Sequence, residues 1–376
     1  MFFSTVSGGV QFYRFKEDDS SEVKNKFNKI STILFELYGF NCRAFCYNHS
    51  LKNIFEECTQ SPFLFLSCTK ENYYLQMQEL APIVLFVYNR PWHSKKTVEA
   101  INKNMLAEKS ELYIFSDGPK NDKDIEGVKK VREFIKGIKG FSKTVIVERG
   151  KNLGLANSVI NGVTEILQYH DRVIVLEDDL ISSLHFLEFI NSALIFYADD
   201  SKIISITGYG LPINIPSDYK YEYYVLPRAS SWGWASWRNR WMDVDWQVKN
   251  YQEFNKDKIE QKKFNKGGED LVPMLKAQIK GEINSWAIRW SYYHFIKKGH
   301  CLYPVKSKIQ NIGTDSSGTH SSTTNKYNVE LDFHKSGFQF PRNLELDNNI
   351  VNRVNALVRP SLFRKVINYL KYDLLK

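Results

Sequence analysis

Between residues 81 and 206 the chain alternates short apolar runs with longer amphipathic stretches. Ile83-Val84-Leu85-Phe86-Val87-Tyr88 is unbroken and stops at Asn89-Arg90-Pro91. Runs of this length suit strands covered on both faces. Leu112-Tyr113-Ile114-Phe115, Thr144-Val145-Ile146-Val147, Arg172-Val173-Ile174-Val175-Leu176 and Ile203-Ile204-Ser205-Ile206 repeat the pattern. Between them the spacing predicts helices over 95–105, 128–138, 156–167 and 183–197. The third is the clearest, with Ala156, Val159, Ile160, Val163, Ile166 and Leu167 at steps of three and four.

Strands alternating with helices predict an α/β fold whose mainly parallel sheet is flanked by helices. In such sheets ligands bind beyond the carboxyl ends of the strands. The polar turns Asn89-Arg90, Ser116-Asp117-Gly118 and Glu177-Asp178-Asp179 all fall at those ends. After residue 210 the regularity fades and aromatics take over. Seven of the eight tryptophans lie from Trp232 to Trp290, five of them within Trp232 to Trp246.

Composition narrows the partners. The 376 residues are 43% hydrophobic and 25% charged, which suits a folded core rather than disorder. The net charge of +9 favours nucleic acid, an anionic membrane surface or phosphorylated small molecules. Five cysteines without a CxxC pair form neither a disulfide framework nor a zinc site, and point to a reducing compartment. Cys42 and Cys46 have the spacing of two small residues on one helix face. No apolar leader follows Met1-Phe2-Phe3, and no window is long enough to cross a bilayer. A cytoplasmic location is the expectation.

Residues 1–78 hold four of the cysteines and no strong motif. They read as an appended region, with a short helix or strand over 30–38. Residues 79–325 are expected to form the main domain, in halves 79–210 and 211–325, followed by a C-terminal extension over 326–376. That extension ends in a helical stripe of Phe363, Val366, Ile367, Leu370 and Leu374, with Arg364, Lys365 and Lys371 elsewhere on the helix. Packing on the domain is one reading of it. The basic character favours the other, a peripheral place on the inner face of the cell membrane.

Three adjacent carboxylates at one strand end, Glu177-Asp178-Asp179, repel each other unless a cation sits there. A hard divalent ion, Mn2+ or Mg2+, takes oxygen ligands and leaves positions for substrate phosphates. The plainer alternative is that Asp179 or Ser182 caps the next helix. Asp117-Gly118-Pro119 likewise has β-turn composition, and Arg149 could serve a phosphate near a helix start or only an ion pair.

The order of these motifs resembles that of GT-A glycosyltransferases. It comprises a strand ending in Asn-Arg-Pro, another ending in Ser-Asp-Gly, then Glu148-Arg149 with Asn152-Leu153-Gly154-Leu155, then Leu176-Glu177-Asp178-Asp179-Leu180. The acidic turn is similar to the variant metal motif of the N-acetylglucosaminyltransferase I type. Residues 228–237 (RASSWGWASW) and 311–320 (NIGTDSSGTH) resemble bacterial surface-polysaccharide sugar transferases. The resemblance covers about residues 81–320.

It implies a GT-A fold and metal-dependent, inverting transfer from a nucleotide sugar, UDP-linked by preference, to a glycan or lipid-linked acceptor. By that resemblance Asp179 contacts the metal, with His320 as a late ligand. Asn89, Arg90, Asp117, Arg149, Asn152, Glu177 and Asp178 serve the donor. Asp270 is the implied base, with Glu269 holding the acceptor; an ordinary acidic helix start is the alternative. Arg228, Trp232 and Trp234 are the acceptor-side candidates, although tryptophan clusters are more often core. A sugar nucleotidyltransferase is the enzyme rival, but it would carry a glycine-rich basic loop where Asn89-Arg90-Pro91-Trp92 stands. A non-catalytic nucleic-acid-binding protein is the other rival, and no signature of one is present.

Overall fold

The structure is a computed structural model and describes residues 2–6, 9–13, 79–315, 324–333 and 336–374. The chain divides into two units, Met1–Glu79 and Leu80–Lys376. In the first, β1 (Phe2–Val6) and β2 (Gly9–Tyr13) pair as an antiparallel hairpin, with Val6 opposite Gly9. The element expected over 30–38 and the pair Cys42 and Cys46 lie outside the described residues.

The second unit is built on a long sheet. Its first part comprises β3 (Ile83–Val87), β4 (Glu111–Ser116), β5 (Lys143–Glu148) and β6 (Arg172–Glu177). Three helices link them: α1 (Pro91–Asn102), α2 (Asp122–Ile135) and α3 (Leu155–Ile166). Then follow β7 (Leu180–Ser182), α4 (Phe186–Phe196), β8 (Ile203–Thr207), β9 (Tyr223–Leu226) and β10 (Trp234–Trp237). Short helices α5 (Arg238–Trp241), α6 (Tyr251–Lys256) and α7 (Lys258–Phe264) lead to α8 (Leu271–Ile279) and α9 (Trp286–Ile296). The chain closes with β11 (His300–Pro304), β12 (Ile309–Asn311), α10 (Asn348–Val358) and α11 (Leu362–Tyr369).

The eight-stranded sheet has the order β5-β4-β3-β6-β10-β8-β11-β9, and β12 pairs separately with β7. Six of its eight strands run one way; β9 and β10 are reversed. The expected α/β architecture with a mainly parallel sheet is therefore present. Why the strands read as unbroken apolar runs is plain from the packing. Ile83, Leu85 and Val87 enter one core with Val98, Ile101, Val131 and the α4 residues Phe186 to Leu194. Val84 and Phe86 enter the opposite core with Val159, Val163 and the tryptophans. Gly162 permits the close approach of α3: a Cβ there would lie 2.8 Å from the Phe86 ring.

Two helices start earlier than periodicity predicts, because their first turns are polar and escape an apolar count. Pro91 sits in the first turn of α1, where its missing N–H costs nothing. The Asn121 side chain caps α2 by accepting from the Lys123 amide, and Asp122 and Asp124 sit at the positive end of the helix dipole.

Trp234 is fully buried and stacks on Trp241 and Trp286 at 5.3 and 5.0 Å. It therefore faces the core and no groove, which corrects its assignment to the acceptor. Nearby, buried His294 contacts Ser205 Oγ through Nε2 and the Trp290 carbonyl through Nδ1. Burial, reinforced by His300, pushes its pKa down to about 3. A depressed histidine is neutral in the fold and protonates on unfolding below its ordinary range, so stability falls with acid between about pH 6.5 and 3. His294→Gln is expected to remove up to about 1.4 kcal/mol per pH unit of that slope, measurable as Tm against pH.

Candidate functional site

The parallel register gathers the polar turns at one edge. Val87 pairs with Ser116, Ser116 with Glu148, and Phe86 with Glu177. The residues that follow, Asn89-Arg90, Asp117, Arg149 and Asp178-Asp179, leave the sheet at the same end.

At the acidic turn Arg90 provides the cation. Its Nη2 donates to Asp179 Oδ2 at 2.9 Å and to Asp178 Oδ1. Asp178 and Asp179 are 5% and 9% exposed, so this is a buried pair rather than a screened surface contact. Arg90 Nη1 is buried and has no hydrogen-bond partner among the described residues. Burial works against the guanidinium's charge, but Asp178 and Asp179 hold its pKa above its ordinary value. Burial also pushes Asp178 up, with Arg90 offsetting only part of that rise. Glu177 is pushed up to about 8, by burial first and then by the Asp179 and Asp178 charges.

A distant segment closes over this turn. β12 pairs antiparallel with β7, with Asn311 opposite Leu180. The Ile312 amide donates to the Asp179 carbonyl at 2.8 Å, and Asn311 Nδ2 donates to Asp179 Oδ1 at 3.1 Å. Gly313 is confined: a Cβ there would overlap Asp179 Oδ2 and come within 3.0 Å of Arg90 Nη1. Just beyond it, Asp315 Oδ2 lies 3.1 Å from His93 Nε2, on the first turn of α1.

A second group brackets the ends of β4 and β5. Asp117 Oδ1 accepts from Ser158 Oγ at 2.7 Å and Arg149 Nη1 at 3.4 Å; its Oδ2 accepts from the Leu153 amide at 3.0 Å. Asn152 donates to the Gly118 carbonyl and accepts from the Gly154 amide. Arg132 joins the bracket through the Arg149 carbonyl at 2.7 Å. Asp117, Arg149 and Asn152 are thus engaged with one another's loops at the strand ends. Asn89 likewise spends its amide on Asp124 at 2.6 Å.

The third group surrounds a cavity of about 190 Å³ lined by Tyr209, Arg228, Trp232, Tyr303 and Tyr327, among others. Trp232 packs edge-on against Tyr209 at 4.5 Å. Because Trp234 pairs with Val175, the chain entering β10 passes beside the Glu177 end of β6. This sets the aromatic wall next to the acidic turn. Arg228 donates from both terminal nitrogens to Asp270, at 2.8 and 2.9 Å. Glu269 instead pairs with Arg359 at 3.0 Å and with Lys365. Lys365 first and Arg359 with it hold the Glu269 carboxyl below its ordinary range. Glu269 thus ties the C-terminal segment to the start of α8.

No protein-family model matches the chain, and no curated protein matches it. Among solved structures it overlaps a mannosyltransferase from Pyrobaculum calidifontis in complex with GDP-Man and Mn2+, at TM-score 0.28 and 13% identity, over 44% of this chain and 50% of that one. It overlaps S. aureus TarS 1-349 at TM-score 0.33 and 10% identity, over 61% and 59%. A third overlap, at TM-score 0.32 and 13% identity over 63% and 92%, is with a Bacillus anthracis protein provisionally assigned as a glucose-1-phosphate thymidylyltransferase. The chain thus spans about half to three-fifths of the first two proteins. These overlaps are too slight to assign a function, which rests on the residues themselves.

Among the described residues no three His, Cys, Asp or Glu side chains converge as a metal cage. The donor chemistry still fits Mn2+ or Mg2+, which are commonly held by one or two carboxylates plus substrate phosphates. Asp179 is the carboxylate expected there; its Oδ2 accepts from Arg90 and its Oδ1 from Asn311. His320 and its neighbours Ser316, Ser317 and Thr319 lie outside the described residues. Asn311, Gly313 and Asp315 belong to the 311–320 motif, which carried no role for them individually. His93, one turn beyond Arg90 on α1, has no motif signal in the sequence.

Proposed function

We propose that the chain is a nucleotide-sugar-dependent glycosyltransferase that extends a bacterial surface glycan. One observation carries the reading: a half-buried arginine, pinned by two carboxylates at the carboxyl edge of a mainly parallel sheet, keeps one buried guanidinium nitrogen without a partner among the described residues. A buried donor without an acceptor is costly, and a donor phosphate oxygen would satisfy it. Helix α1 adds its N-terminal amides just beyond Arg90.

In this reading the donor lies over the ends of β3, β4 and β6, with Glu177 and Asp178 beneath it. A Mn2+ or Mg2+ ion held by Asp179 would neutralise charge on the leaving diphosphate. The aromatic cavity takes the acceptor, with Trp232 and Tyr209 offering faces to sugar C–H groups. Asp270 is the proposed base, oriented by Arg228. The acceptor oxygen bonds to the anomeric carbon while the bond from that carbon to the phosphate oxygen breaks. The hydroxyl proton passes to the base, and the nucleoside diphosphate leaves. Attack opposite the leaving group inverts the anomeric centre. A UDP donor is favoured by the resemblance of the acidic turn.

Calorimetric titration with UDP, GDP and dTDP, with and without Mn2+, tests the donor site. Absence of metal-dependent nucleotide binding would refute the reading. Release of pyrophosphate rather than a nucleoside diphosphate would reassign the chain to nucleotidyl transfer. Asp270→Asn is expected to keep donor binding and to lose transfer by about 100-fold or more. Full activity would move the base elsewhere.

A further inference from the structure

Helix α11 is attached to its domain by the wrong face. Lys365 reaches Glu269, and farther along the Tyr372 hydroxyl donates to Glu282. Lys371 Nζ lies 2.8 Å from Glu282, and Lys280 donates to the Lys371 carbonyl at 2.9 Å. The opposite face carries Leu362, Phe363 and Val366, exposed by 82%, 76% and 57%, and is continued by Leu370, exposed by 42%, in the π-helical turn Leu370–Leu374 that follows. A helix that merely packs on its own domain buries its apolar stripe and exposes its polar one. Here ion pairs to the body aim the apolar stripe outward.

We infer that this stripe docks on the surface of an anionic lipid bilayer. Residues 359–376 carry Arg359, Arg364, Lys365, Lys371 and Lys376 and one acid, Asp373; Glu269 and Glu282 offset part of this charge through Arg359, Lys365 and Lys371, and the excess stays positive. Arg364 is exposed on the same helix, off the stripe, and its long side chain could reach lipid phosphates as Leu362 and Phe363 enter the acyl boundary. A second copy of the same basic helix would bring like charges together, which disfavours self-association through this face. No described helix is long and apolar enough to cross a membrane, so α11 lies in the interface.

The position has a consequence for the proposed chemistry. Val358 lines the aromatic cavity, and Glu269, which anchors Arg359 and Lys365, precedes Asp270. Docking through α11 therefore holds the cavity close to the bilayer, where a lipid-linked acceptor presents its sugar. That link rests on the glycosyltransferase reading; the docking itself does not.

The test is co-sedimentation of the full chain with phosphatidylcholine vesicles and with vesicles in which about one lipid in three is phosphatidylglycerol. Wild type is expected to pellet only with the anionic vesicles, less so at high salt. A Leu362→Ser/Phe363→Ser double variant should lose binding by about 10–100-fold with an unchanged Tm, because both side chains face solvent. Arg364→Gln should weaken it by a smaller factor. Wild type remaining in the supernatant, or the double variant binding like wild type, would overturn the proposal. So would a concentration-dependent dimer that the double variant abolishes, since it would assign the stripe to a second copy. The vesicle assay uses no nucleotide, so its failure leaves the donor-site reading standing, and the reverse holds too.

Discussion

Arg90→Met is expected to destabilise the metal-free protein by about 3–5 kcal/mol, because it removes one member of a buried ion pair and leaves the rest uncompensated. Asp178 and Asp179 have side-chain exposures of 6% and 13% in those pairs. Water cannot take over the role of the guanidinium there. Methionine approximates the length of the arginine stem, so the loss is chiefly of charge. Three further measurements separate this account from a packing defect. The cost should shrink in an Asp178→Asn background, where one carboxylate fewer is stranded, giving a coupling of about 1–3 kcal/mol. It should shrink again toward low pH as Asp178, pushed up by burial, protonates. Adding Mn2+ should recover part of the lost Tm, since a divalent ion can replace the missing positive charge. A cost unaffected by pH, partner and metal would mean that Arg90 matters only for shape.

The same cluster shows what pattern reading could reach. The strand ends were legible because each strand is a continuous apolar run, and a run covered on both faces must stop where the chain turns polar. Asn89, Asp117, Arg149 and the acidic turn follow from that alone. Their partnerships were not legible. Asp117 has β-turn composition and also sits at a ligand-binding edge, and only the placement of Ser158 and the Leu153 amide shows that its oxygens hold the loop. Asn311 reaches Asp179 across 132 positions of sequence through a three-residue strand too short to announce itself. Trp234 and Trp232 are two residues apart in an aromatic stretch, yet one is core and the other lines the cavity. Strand alternation would put both on one face; they part because β10 begins at Trp234 and Gly233, at φ +58°, turns the chain between them. The C-terminal stripe shows how far periodicity goes: it finds the apolar face, whereas the ion pairs of Glu269 and Glu282 decide which way that face points.

Those pairings also explain why the acidic turn is a strong candidate centre rather than a solvated loop. Asp179 makes three contacts to two distant segments: it accepts from Arg90 beyond β3, and from Asn311 and, through its carbonyl, Ile312 at the end of β12. Asp179→Ala removes both side-chain contacts and the proposed metal ligand together. Transfer is expected to fall by about 100-fold or more, the several kcal/mol a Lewis acid contributes to a leaving diphosphate. Stability should change far less, because Arg90 keeps Asp178 and the Ile312 amide keeps its carbonyl. Asp179→Asn divides the two roles. Its amide oxygen can still accept from Arg90 or Asn311, so the β12 segment should stay in place, and Tm should match wild type within a few degrees. Its charge is gone, so metal-dependent nucleotide affinity and transfer should remain as low as in the alanine variant. Transfer restored by asparagine would show that Asp179 serves to hold the loop, and the metal, if any, would have to be carried by Glu177 or Asp178.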